Sequence, residues 1–178
     1  MKSQRRIITF FIFVGLFSIS YFIGSQSQIS EDDALQFQDE FKDLIEGIDG
    51  SGIFLHNVAV ALPMFIPGFG VAWGFFSAWQ TGQAFAALAL LNPVIAGIHP
   101  LALLYVSPFG VMELVAYSLA MSRSLLLTHK IIKKIPIKTD FKLIGIEVGI
   151  ALGLLIGGGF LEAYMIQVVE DSGIQPLI

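Results

Sequence analysis

Cysteine is absent from the 178 residues, which excludes a disulfide framework, thiolate ligation of zinc or an iron–sulfur cluster, and a cysteine nucleophile. Charge is also scarce, with Asp, Glu, Lys and Arg together making up only 13 % of the chain, too little for the polar surface of a water-soluble domain of this length. No HExxH or other paired-ligand spacing occurs and no Ser/His/Asp arrangement stands out, so metal-dependent and serine-type hydrolysis have no signature. Outside one short lysine-rich linker there is no basic, aromatic surface of the kind that binds nucleic acid. No catalytic residue, metal, cofactor or nucleic-acid partner is therefore expected.

What the chain has in excess is apolar side chains, 55 % of the total, with a mean hydropathy of +0.78. The expected solvent is lipid. Lys2, Arg5 and Arg6 precede an apolar run from Ile7 to Gly24 that reads as a first membrane span. A cleaved signal peptide is the other reading of such a start, but the run is long for one and Gly24, Ser25 and Gln26 make a weak cleavage site.

The character then changes. From Ser25 to Gly50, eight acidic residues (Glu31, Asp32, Asp33, Asp39, Glu40, Asp43, Glu46 and Asp49) face a single Lys42, so this stretch lies outside the bilayer core. Its apolar residues Ala34, Phe37, Phe41, Leu44, Ile45 and Ile48 recur at three- and four-residue spacing, the period of an amphipathic helix, with Ser30 as its N-cap. Either its charges merely solvate a loop, or its apolar stripe docks a partner or the membrane surface; its acidity argues against anionic headgroups.

The run from Ile53 to Leu91 is too long for one span, and Pro63, Pro67, Gly68 and Gly70 divide it into a short helix of about 51–66 and a full-length one of about 70–91. Asn92 and Pro93 end the second. The 94–106 stretch is too short to cross, and a re-entrant or tilted course inside the bundle is expected for it. Long helices then follow at about 109–128 and 143–168.

The linker between these last helices holds Lys130, Lys133, Lys134, Lys138 and Lys142, with Arg123 just before it. Positive charge marks the cytoplasmic face, so the linker and the N-terminus are placed inside and the acidic segments outside. The expected fold is all-α: a polytopic bundle of about five spans in the cell membrane, with a broken or re-entrant segment and an external amphipathic helix. Its parts are 1–24 (first span), 25–50 (acidic helix) and 51–178 (main bundle), with the N-terminus cytoplasmic and the C-terminus external.

Between spans, close approach of small residues and interhelical hydrogen bonds must supply most of the association. Gly70, Gly74, Ala78, Gly82 and Ala86 form one four-residue stripe, and Gly145, Gly149, Gly153 and Gly157 form another. The two helices that carry them are expected to cross at close range, and a bulky residue at Gly149 or Gly153 to loosen the packing. Glu113 interrupts a long apolar helix, where an ionised carboxylate costs about 2.5 kcal/mol or more, so it should face inward. Ser107 is placed to cap that helix with Pro108 in its first turn. Glu162, Glu147, His56, Asn57, Gln80, Thr81 and Gln83 complete the intramembrane polar set. They serve as packing contacts, as one ion or proton path, or, for His56 with Glu113 or Glu162, as metal ligands.

These elements fall in an order that resembles the stage II sporulation protein M family: Asn57 followed by an apolar helix, WQTGQ at 79–83, SPFGVMELVA at 107–116 and GGGFLEAYMI at 157–166. The resemblance covers roughly Ile53 to Ile166. The family's Pro-His-Gly-x-x-Glu element is matched by Pro108, Gly110 and Glu113, with Phe109 in place of the histidine, which counts against any function needing that histidine. Glu113 and Glu162 match its carboxylates. The resemblance implies a multi-span membrane protein without catalytic activity of its own. In spore formers such a protein works in an envelope-remodelling complex with peptidoglycan-degrading partners during engulfment. Nothing in these residues encodes sporulation, so what carries over is a non-enzymatic scaffold or assembly subunit that meets lipid and other membrane or envelope proteins, with a homo-oligomer left open. A transporter or channel component is the competing expectation.

Overall fold

The computed structural model describes residues 3–45 and 49–171, and every regular element among them is a helix. The first, α1 (Ser3–Ser25), is 23 residues long, about 34 Å and enough for a hydrocarbon core of about 30 Å. Next comes α2 (Glu31–Ile45), capped as its sequence dictates: Ser30 Oγ accepts from the Asp33 amide at 3.2 Å and donates to the Asp33 carboxylate at 2.6 Å. Ile48, the end of the apolar stripe expected here, lies outside the described residues.

The 51–91 run divides where the prolines require it. Helix α3 (Gly50–Ala61) is N-capped by Asp49, which accepts from the Gly52 amide at 2.8 Å, and it tightens into a 3-10 turn over Leu62–Phe65, where Pro63 removes a donor. Gly68 turns the chain with a φ of +83°, a conformation open to glycine, and α4 (Phe69–Leu91) runs back. Two hydrogen bonds from the far end of a later helix fasten this turn: the Gly68 amide donates to Thr128 Oγ1 at 2.6 Å, and Ser124 Oγ donates to the Ile66 carbonyl at 2.7 Å.

Two short helices follow, α5 (Pro93–Ala96) and α6 (Pro100–Tyr105), each opened by proline and neither long enough to cross. This segment lies against the bundle: Tyr105 and Ser18 share a hydrogen bond of 2.7 Å, and the Phe22 and His99 rings stack. The chain finishes in α7 (Pro108–Ile132) and α8 (Phe141–Asp171), an antiparallel pair. Their linker opens with Lys134 at φ 53°, and the Lys134 and Ile135 amides close back on the Ile131 and Lys130 carbonyls as a Schellman cap. Lys130 pairs with Asp140 across the same turn.

Among the described residues three helices are long and apolar enough to cross a membrane, Gln4–Ser25, Pro108–Ile132 and Lys138–Val168, with Gly50–Phe65 a shorter apolar one. The protein is thus an all-helical membrane bundle. At its centre is α7, with 67 % of its most apolar window buried against 28 % for α1 and for α8. On one side α4 packs on α1 and α7, with α2 resting on α4 through the fully buried Ala34; on the other, α8 packs on α7 and α3. The core is Phe13, Phe17 and Tyr21 of α1 against Ala78 and Phe85 of α4, Tyr117, Ala120 and Met121 of α7, and Ala151 and Leu155 of α8.

This arrangement corrects the expectation for the two glycine stripes: α7 lies between their helices, so α4 and α8 do not pack on each other. The α4 stripe is buried from Gly70 to Gly82, Ala86 being half-buried, and it faces three partners. A Cβ at Gly70 would meet the Met64 carbonyl, one at Gly74 the Met121 side chain, and one at Gly82 the backbone of Tyr21, Gly24 and Ser25. On α8 the face turned inward is Glu147, Ala151, Leu155, Gly158 and Glu162. Gly145, Gly149 and Gly153 sit two positions away, about 200° round the helix, exposed and with nothing within 4 Å of a Cβ; only Gly157 touches a neighbour, Met112. The close approach on α8 is made instead by Gly159, against Gly50 and Phe54 of α3.

Candidate functional site

The break between α6 and α7 builds the first polar cluster. Ser107 Oγ accepts from the Gly110 amide at 3.1 Å and donates to the Leu103 carbonyl at 2.5 Å, while Pro108 occupies the first turn, where no amide hydrogen is needed. This folds the end of α6 so tightly over α7 that a Cβ at Gly110 would collide with the Leu103 carbonyl. Pro108 and Gly110 therefore act on the backbone, fixing where α7 begins and which way its first turn faces.

One turn on, Glu113 points between α7 and α3 and is partly buried. The Asn57 amide, itself only 7 % exposed, donates to Glu113 Oε1 at 2.7 Å, an interhelical hydrogen bond inside the bundle. On α8, Gly158 and Gly159, one turn before Glu162, lie against Phe109 of α7 and Phe54 of α3, so Glu162 stands at the same end of the bundle. Asn57 and Glu113 are thus joined across two helices, with Glu162 of a third at the same end of the bundle.

A second cluster lies toward the other end of α7, and the sequence reading did not assemble it. Arg123 is 2 % exposed and grips Glu147 with both Nε and Nη2, the latter 2.5 Å from Oε1; Arg6 of α1 donates its Nη2 to the same Oε1 at 2.5 Å. In the sequence Arg6 and Arg123 serve only as markers of the cytoplasmic side. The missed signal is hairpin geometry: Arg123 stands nine residues before the end of α7 and Glu147 six after the start of α8, so an antiparallel pair sets them at similar depth. Opposite charges at matching depth in adjacent spans find each other, because either one alone in hydrocarbon is costly.

The rest of the polar set does not join these clusters. His56, Gln80 and Thr81 are exposed, His56 pointing away from its buried neighbour Asn57, and Gln83 is half-buried on α4. The idea of one path lined by the whole set is thereby overturned, and so is His56 as a companion of Glu113 in a metal site. Among the described residues no three His, Asp or Glu side chains converge on a metal-sized position. Trp79 and Gly82 of the WQTGQ element act through packing: the Trp79 and Gly82 backbone meets Gly24 and Tyr21 of α1, and Ser20 Oγ donates to the Phe75 carbonyl at 2.8 Å in the same crossing.

Searches of curated proteins and of solved structures returned no match. The family model described as Stage II sporulation protein M matches residues 7–166, taking in α1 and α2 as well as the segment from Ile53 onward on which the resemblance was first read. With the helix break at Pro108 and Gly110, the Asn57 to Glu113 bond and a family match over most of its length, the chain belongs to the stage II sporulation protein M family of membrane proteins.

Proposed function

We propose that the protein is a non-enzymatic scaffold or assembly subunit of an envelope-associated membrane complex. The observation that carries this reading is the separation of its two polar clusters. Ten residues of α7, about 15 Å, divide Glu113 from Arg123, and fifteen residues of α8, about 22 Å, divide Glu162 from Glu147. Between them Phe17, Tyr117, Ala120, Met121 and Leu155 pack tightly enough to be at most 7 % exposed. An ion or proton route needs polar side chains or water in continuity across the membrane, whereas paired groups divided by a packed apolar layer fasten helices together.

The same contacts favour five crossings with a cytoplasmic N-terminus. The start of α1, the end of α7, the start of α8 and the Gly68 turn meet at one end through Arg6, Glu147, Arg123 and Thr128, and the lysine-rich linker lies there. Acidic α2 rests on α4 away from that linker. Because α1 supplies Arg6 to α8 and buries Phe13, Phe17 and Tyr21 in the core, it belongs in the bundle as a retained span.

Partners are expected at the acidic face of α2. Its apolar side is committed to α4 at Ala34, while Glu31, Asp32, Asp39 and Glu40 are exposed. The decisive comparison is between wild type, Glu113→Gln and a variant neutralised at Asp32, Asp39 and Glu40. On the scaffold reading none conducts ions or protons in proteoliposomes, Glu113→Gln keeps the helix bundle, and in-membrane crosslinks to a recurring partner survive Glu113→Gln but fall in the neutralised variant. A protein-dependent flux that Glu113→Gln abolishes would replace the scaffold with a transport function.

A further inference from the structure

The cluster around Glu147 carries unbalanced charge. Two guanidinium groups share one carboxylate, and the nearest other pair, Lys130 with Asp140, is closed on itself. Arg123 is enclosed and gives Glu147 two nitrogens. Arg6 is less committed: it gives only Nη2, its Nε is buried without a partner, and its side chain is 31 % exposed. Beside it runs a cavity of about 300 Å³ between α1 and α7. Arg6, Glu147 and Ser122 are its polar lining; Ile7, Phe10, Phe11, Leu119 and Leu126 form its apolar walls. Ile7 and Phe11 are 54 % and 64 % exposed, so the groove opens on the flank of the bundle, which in a membrane means lipid.

A surplus cation at one end of an apolar groove suits an amphiphile that joins an acid group to hydrocarbon. We propose that this groove binds an anionic phospholipid, its phosphate on the unused N–H groups of Arg6 and an acyl chain along Phe10, Phe11 and Leu119. A zwitterionic lipid brings its own positive charge and leaves the surplus unbalanced. Free phosphate meets the charged end alone and leaves the walls uncovered. The inference rests on the membrane placement of α1 and is independent of the scaffold role, so failure of either leaves the other standing.

The test uses the full chain in an uncharged maltoside detergent, titrated with phosphatidylglycerol, phosphatidylcholine or inorganic phosphate and read by native mass spectrometry. Phosphatidylglycerol binds about tenfold more tightly than phosphatidylcholine, as a charge-assisted contact implies. Arg6→Gln removes that preference, and Arg5→Gln, at an exposed arginine beside it, retains it. Phe11→Ala changes an exposed wall residue that the core does not need and weakens phosphatidylglycerol binding severalfold, which decides the matter if Arg6→Gln does not fold. Equal binding of the two lipids, equal losses at Arg5 and Arg6, or inorganic phosphate competing as well as phosphatidylglycerol would each overturn the proposal.

Discussion

Gly82 and Gly149 look interchangeable in the sequence, each inside a stripe of small residues at four-residue spacing in an apolar helix, yet alanine at the two positions should change stability in opposite directions. At Gly82 the new Cβ would sit 2.7 Å from the Ser25 amide nitrogen and 2.9 Å from the Gly24 Cα, with the Tyr21 carbonyl closer still, against 3.4 Å or more for ordinary contact. All three obstacles are backbone, so no rotamer change relieves them and α1 must move off α4 by about 1 Å or more to clear the Tyr21 carbonyl. A gap of 0.5 to 1 Å forfeits roughly a quarter to a half of the dispersion energy at each contact it opens, and overpacking of this kind costs about 1–3 kcal/mol. At Gly149 there is nothing within 4 Å, and alanine gains about 0.5–1 kcal/mol from helix propensity alone. The two variants should therefore lie about 1.5–4 kcal/mol apart on either side of wild type. At about 2–4 °C per kcal/mol for a chain of this size, that is a separation of about 3–16 °C in Tm, readable by circular dichroism of the full chain in detergent. A Gly149→Ala loss as large as that of Gly82→Ala, or no loss at Gly82, would refute the packing argument.

Glu147→Gln should cost about 3–5 kcal/mol, because it leaves Arg123 buried without its counter-charge; the double change Arg123→Met with Glu147→Leu should recover most of that, since Arg6 is exposed enough to turn outward. Thermal unfolding of both would check it, and equal damage from the single and double variants would contradict it. Lys134→Gly should raise stability by up to about 1 kcal/mol: lysine in the left-handed region costs about 1–2 kcal/mol, of which the greater freedom of glycine in the unfolded chain takes back a part. A lowered Tm would show that the lysine side chain does more than occupy the turn.

Much of the fold was legible in the sequence because it depends on local chemistry. Pro63, Pro67 and Gly68 had to divide the 51–91 run, Ser30 had to cap α2, and Ser107 with Pro108 had to open α7, since each acts through its own backbone within one turn. The inward turn of Glu113 was legible for a related reason: hydrocarbon tolerates a carboxylate only where a partner meets it, and Asn57 does. The sequence by itself thus determined the helices, their ends, their membrane solvent and which residues share a face. Only the tertiary structure decided which face meets protein. That choice set the α4 stripe against α1 and α7, turned Gly145, Gly149 and Gly153 of α8 outward, and joined Arg6 to Glu147 across 141 residues of chain. The physical reason is that lipid tails are as apolar as leucine, so a spanning helix shows no contrast between its buried and exposed sides, and the period that orients a helix in water is silent in the bilayer.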